Sequence, residues 1–167
     1  MNEEQYSRAN KRVLLAIVVV FGYIAATLML ALVVSQGGHA SKIMMEAVTA
    51  AAVIVISVAA YLGKRTTRTC AVIMTLSMMI GYFVIVQLNT TVGTWTYGLP
   101  LLIAAMVYLD KKIVMMTNGI ALVAIIVHLV RCFLGGGSDL RNNVIGLFVL
   151  LPVSYTHLRA HETELHL

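Results

Sequence analysis

The sequence predicts an all-α fold: a polytopic transmembrane helix bundle with five full spans, a truncated sixth, and a cytoplasmic N-terminus. Three observations carry this expectation. Sixty per cent of the 167 residues are hydrophobic and only 11% are charged, against about 25% charged in a soluble globular domain. The longer apolar runs hold roughly 20 residues, the length of helix that crosses a hydrocarbon core of about 30 Å. Alternating segments of about ten residues, the mark of a membrane β-barrel, are missing. The length suggests one domain.

Residues 1–12 are polar and read as a cytoplasmic segment. Arg8, Lys11 and Arg12 then precede the first apolar run, 13–34. This run is too long for the core of a signal peptide, and no small-x-small cleavage site with a soluble domain follows it, so it is read as a retained span. The second run covers 43–62 and the third 70–88. The fourth, 95–109, is shorter and carries Gly98 and Pro100. Pro100 implies a kink or a broken first turn, tolerable where neighbouring helices satisfy the freed carbonyl. The fifth run covers 113–134. The sixth, 144–152, is incomplete: it offers about half a bilayer of helix before Ser154, Tyr155, Thr156, His157, Leu158 and Arg159.

Lysine and arginine set the orientation. With a cytoplasmic N-terminus, the inner segments hold eight basic residues: Arg8, Lys11, Arg12, Lys64, Arg65, Arg68, Lys111 and Lys112. The outer segments hold three, Lys42, Arg131 and Arg141. Trp95 and Tyr97 then fall at the outer interface, and Tyr61 and Tyr108 at the inner one. The partner this implies is the lipid bilayer. The net charge of +5 does not point to nucleic acid, because the basic residues form small clusters between apolar runs rather than one face.

Candidate chemistry is sparse. No carboxylate lies in the middle of a run, which argues against an ion-coupled transporter. Glu46 comes nearest and reads as an interfacial residue facing headgroups or water. His128 and Arg131, three apart, share a helix face near the outer end of the fifth run and are candidates for an outward-facing pocket. The favoured reading is structural, as residues that reach the interface by snorkelling. Cys132 is placed on a different face from His128 and adds no metal ligand. Gln87 and Asn118 are further intramembrane candidates, with helix–helix hydrogen bonding as their alternative role. Ala59 with Gly63, and Ser77 with Gly81, are small pairs four apart that suit close packing within the chain or in a dimer. Cys70 and Cys132 are expected near opposite faces, too distant for a disulfide. No cofactor, metal or catalytic residue is expected, and the chain is not read as an enzyme.

The ending carries two histidines four apart, His157 and His161, the spacing of a helical zinc pair. That reading is rejected, because HLRAH lacks the HExxH pattern. SYTHLRAHET resembles the conceptual translation of sequencing-adapter DNA found in fragmented environmental assemblies. The resemblance implies that residues 153–167 are an artefactual tail and that the reading frame leaves the genuine gene near Pro152.

Two other stretches, NEEQYSRANKRV and TWTYGLPLLIAAMVYLDKKIVMMTNGI, resemble the N-terminal region of clostridial-type methyl-accepting chemotaxis proteins. The resemblance covers about residues 1–152. It implies a membrane sensor and transducer domain in a bacterial cytoplasmic membrane, acting as a homodimer. It also implies chemotaxis adaptor and kinase partners, reached through a cytoplasmic signalling domain that this sequence lacks. Similar membrane modules precede histidine kinases, which is the alternative expectation. A small transporter is the third.

Overall fold

The computed structural model describes residues 2–34, 40–88, 94–108, 110–134 and 144; of Thr94 and Trp95 it describes the backbone only. The sixth run beyond Val144, the tail 153–167 and the interfacial placement of Trp95 lie outside the described residues. Every described element is a helix.

α1 spans Glu3–Val34. Its polar start is helical because the first turn closes on itself: Asn2 N–H donates to Gln5 Oε1 at 2.8 Å, and Gln5 N–H donates to Asn2 Oδ1 at 2.9 Å. This reciprocal pair satisfies two of the donors that a helix start leaves orphaned. Glu3 and Glu4 in the first turn favour the positive end of the helix dipole. α2 spans Ala40–Lys64 and α3 spans Arg68–Leu88. Thr67 makes the corner between them. Its hydroxyl donates to the Lys64 carbonyl at 2.9 Å and accepts the Cys70 N–H at 3.3 Å, ending one helix and capping the next. α5, defined here as the helix Lys111–Leu134, is capped by Asp110, whose Oδ1 accepts the Lys112 N–H at 3.0 Å.

These four helices are long and apolar enough to cross a membrane. Five full spans are not what the described residues form. The fourth apolar run becomes a 3-10 turn, Thr94–Tyr97, followed by α4, Gly98–Met106. Nine α-helical residues and four 3-10 residues reach about 22 Å, short of a hydrocarbon core. Pro100 lies in the first turn of α4, just past the change from 3-10 to α geometry, where a missing N–H is tolerated. At the other end, Val107 and Tyr108 bond back three residues to Ala104 and Ala105, both at 3.3 Å, and the helix stops.

α3 sits at the centre, with α2 on one side and α5 on the other; α1 packs on α2 and α3, and α4 lies against α1, α3 and α5. α3 supplies five of the large buried side chains, Met74, Met78, Met79, Tyr82 and Ile85, and α1 adds Val13, Ile17 and Phe21 to the same core. The exterior is apolar: Leu15, Val19, Leu30, Val33, Val55 and Phe133 are all exposed. Polar side chains turn inward instead, among them Asn10, Glu46, Ser57, Thr117, Asn118 and His128. That inversion fits a bundle solvated by lipid.

Two placements correct the sequence reading. Glu46 does not face outward. It shares the buried stripe of α2 with Ala50, Val53 and Ser57, which follow it at helical spacing. Tyr108 does not sit in an aromatic belt but is fully buried.

The small pairs separate cleanly. Ser77 bonds Ser57 at 3.1 Å across the α2–α3 contact. A Cβ built on Gly81 would lie 2.3 Å from Val53 Cγ2 and 3.2 Å from the Phe21 ring. Ser77 and Gly81 therefore serve packing inside the chain. Ala59 and Gly63 are exposed. Gly81→Ala is expected to cost about 1–3 kcal/mol by overpacking. Gly119→Ala, with nothing within 4 Å of its Cβ position, is expected to leave stability unchanged or raise it. Reversible unfolding in mixed micelles compares the two.

Candidate functional site

Three of the sequence candidates meet at the ends of α3 and α5 opposite the basic end. Gln87 lies one residue before the end of α3. Its Nε2 donates to the Ala124 carbonyl of α5 at 2.8 Å. Arg131 reaches back across the same contact, and its guanidinium donates to the Gln87 backbone carbonyl. That carbonyl is one of the last four of α3, which have no partner inside the helix. Arg131 thus caps α3 from a neighbouring helix, and Gln87 fastens α5 in return.

His128 lies one turn before Arg131 on the buried side of α5 and is 7% exposed. Its Nε2 is 3.6 Å from Cys132 Sγ. This corrects the expectation that Cys132 faces elsewhere: residues at i and i+4 share a helix face. Among the described residues no group of three histidine, cysteine or acidic side chains converges as a metal site.

Asn118 does not join this cluster. It is ten residues before His128 on α5, about 15 Å along the axis. It is buried, and its Nδ2 has no hydrogen-bond partner among the described residues. Pro100 is exposed on α4 and makes no contact with the cluster that the structure records.

The other end of the α3–α5 pair holds a cluster that the sequence reading did not single out. Arg68 Nε donates to Asp110 Oδ2 at 2.7 Å, and its Nη2 to Oδ1 at 3.3 Å. The Asp110 carboxylate therefore binds the guanidinium with both oxygens while capping α5. Burial alone raises a carboxyl's pKa; here the Arg68 guanidinium and the Lys112 N–H outweigh it and hold Asp110 below its usual value. Nearby, Asn10 of α1 donates from Nδ2 to the Arg65 carbonyl at 2.8 Å and lies 3.4 Å from the Thr67 carbonyl. These bonds tie α1 to the α2–α3 corner. The signals were present in the sequence, as an Asp before Lys-Lys and an Asn on the inward face of α1, but the partners are 42 and 55 residues away.

The geometry fixes directions. α3 and α5 begin at the Arg68–Asp110 pair and end at the Gln87–Arg131 clamp, so they run parallel. The chain must therefore travel back between them, and the 3-10 turn and α4 occupy that return. All eight basic residues assigned to the inner side come to one end of the bundle, through Asn10 and through Arg68.

No family model, curated protein or solved structure matches the chain.

Two measurements probe the clamped ends. Gln87→Leu removes the bond to Ala124 and is expected to cost about 0.6 kcal/mol in lipid or detergent, the average for a polar contact between membrane helices. The second is pH-dependent. Because the folded Asp110 value is depressed, its contribution is fully present above the unfolded carboxyl value of about 3.9 and is lost as pH falls through the folded value. The melting temperature should drop more steeply below about pH 4 in the wild type than in Asp110→Asn, and the difference between the two curves isolates this group from the other carboxylates.

Proposed function

We propose that this chain is the membrane-embedded sensor and transducer domain of a methyl-accepting chemotaxis-type receptor in a bacterial cytoplasmic membrane. The sequence resemblance of residues 1–152 and the apolar helices support the reading. The observation that carries it on the structural side is the parallel pair α3–α5, tied by hydrogen bonds at both ends. A receptor of this kind needs an element whose two ends are mechanically joined across the membrane. Each helix of the pair runs for 21 or 24 residues, about 30–36 Å.

In this reading a ligand or a membrane state acts at the Gln87–His128–Arg131 end. Drawing Arg131 away from the Gln87 carbonyl uncaps α3 and frees the pair to shift. Such an effector works only through unequal affinity for the two packings. The shift reaches the Arg68–Asp110 end, and the sixth apolar run passes it to a cytoplasmic coiled coil. A homodimer then presents that coiled coil to a chemotaxis adaptor and kinase.

The test is a long sequencing read through the codon for Pro152 in the source DNA. The expected result is about ten more apolar residues, completing a span, followed by a long run of heptad repeats. A phospho-acceptor histidine with an ATP-binding domain would replace this reading with a histidine kinase sensor. A stop codon directly after HLRAHETELHL would overturn both.

A further inference from the structure

A groove of about 570 Å³ opens on the outside of the bundle at the basic end. It is lined by Arg8, Lys11, Arg12, Leu14, Leu15 and Val18 of α1, with Tyr61 of α2. Its upper rim is cationic and its floor is apolar. The order follows from helical spacing: Arg8, Lys11, Arg12 and Leu15 fall at i, i+3, i+4 and i+7, so they form one stripe on α1. Tyr61, half-buried near the end of α2, closes the groove from the side.

The three cations are not consumed by the fold. Lys11 and Arg12 are exposed. Arg8 pairs with Glu4 at 3.0 Å, but both side chains are largely exposed, at 67% and 76%, so that bond is readily exchanged. Among the described residues no carboxylate lines the groove. Asn10, on the opposite face of α1, makes that helix's bonds to the Arg65 and Thr67 carbonyls.

We propose that this groove is a binding site for one anionic phospholipid of the cytoplasmic leaflet. The phosphate lies between the guanidinium groups of Arg8 and Arg12, which donate in the paired geometry that suits a phosphate, and Lys11 adds a point charge. An acyl chain runs down the floor over Leu14, Leu15 and Val18. The apolar floor selects a lipid over a free phosphate, because a soluble anion leaves that surface uncovered. The charge and the depth agree: a basic pocket on the cytoplasmic side of a helix pair is where an anionic headgroup sits. The site does not depend on the receptor reading.

The test uses the full chain in nanodiscs of phosphatidylcholine with a minor fraction of phosphatidylglycerol of the same acyl chains. Native mass spectrometry after release counts retained lipids. The wild type is expected to keep one phosphatidylglycerol in preference to phosphatidylcholine. Each basic residue at a membrane surface strengthens attraction to anionic lipid about fivefold, so Arg8→Gln/Lys11→Gln/Arg12→Gln should lower the preference by about a hundredfold. Lys111→Gln/Lys112→Gln, which removes two charges at the same end of the bundle, should retain it. Where losing three charges disturbs insertion, Leu15→Trp/Val18→Trp keeps the charges, fills the floor and should also lose the lipid. An equal loss per charge in the Lys111/Lys112 variant, about twenty-fivefold in all, would mean general surface attraction and overturn the site. Full competition by glycerol phosphate would reduce it to an anion site. A Leu15→Cys disulfide between two copies that persists with saturating phosphatidylglycerol would assign the groove to a second chain instead.

Discussion

Asp110 caps α5 and, with the same carboxylate, receives the guanidinium of Arg68 at the start of α3. One side chain therefore makes two helices begin at one level. Because α3 and α5 follow each other among the long helices, beginning together obliges the chain to come back between them. The 3-10 turn and α4 are the consequence. A segment in that position needs no helix of full length, since its polar backbone is shielded by α1, α3 and α5 rather than by lipid. Gly98 belongs to the same arrangement: a Cβ there would lie 2.8 Å from the Tyr82 hydroxyl of α3.

The bundle is held together by close packing and a few hydrogen bonds, as expected where lipid removes the hydrophobic drive between helices. Gly81 lets Val53 and Phe21 approach the α3 backbone, and the Ser57–Ser77 bond lies on the same α2–α3 contact. Methionines divide by environment. Met74, Met78 and Met79 fill the irregular centre of α3, while Met29, Met44, Met45 and Met115 face outward. Along the spans the polar side chains face inward, and not all of their atoms are paired: Asn10 Oδ1 and Asn118 Nδ2 are buried without a hydrogen-bond partner among the described residues.

The two ends of the α3–α5 pair differ in kind. At the basic end an ionised pair and two caps hold three helices in register, and the charges of the surrounding loops gather there. At the far end the contacts are a backbone carbonyl capped by Arg131 and an amide crossing to Ala124.

Hydropathy and charge placement act locally along the chain, so the sequence alone indicated the membrane class, the helical state, the apolar extent of the four long helices and which loops share a side, but not that α1 begins at Glu3, ten residues before its apolar run. Those properties depend on how long an apolar run is and what flanks it. The pairing of helices was not legible, because it depends on contacts between residues 42 to 57 positions apart. The same ignorance of neighbours hid three particular facts. Glu46 looks interfacial by depth, yet its phase on α2 turns it inward. His128 and Cys132 touch, as helical phase requires once it is counted correctly. The fourth apolar run reads as a span by composition, but only its place between two parallel helices decides that it is a short return. Tertiary structure decided these because a side chain's direction is set by helical phase, and its partner by which helix happens to lie there.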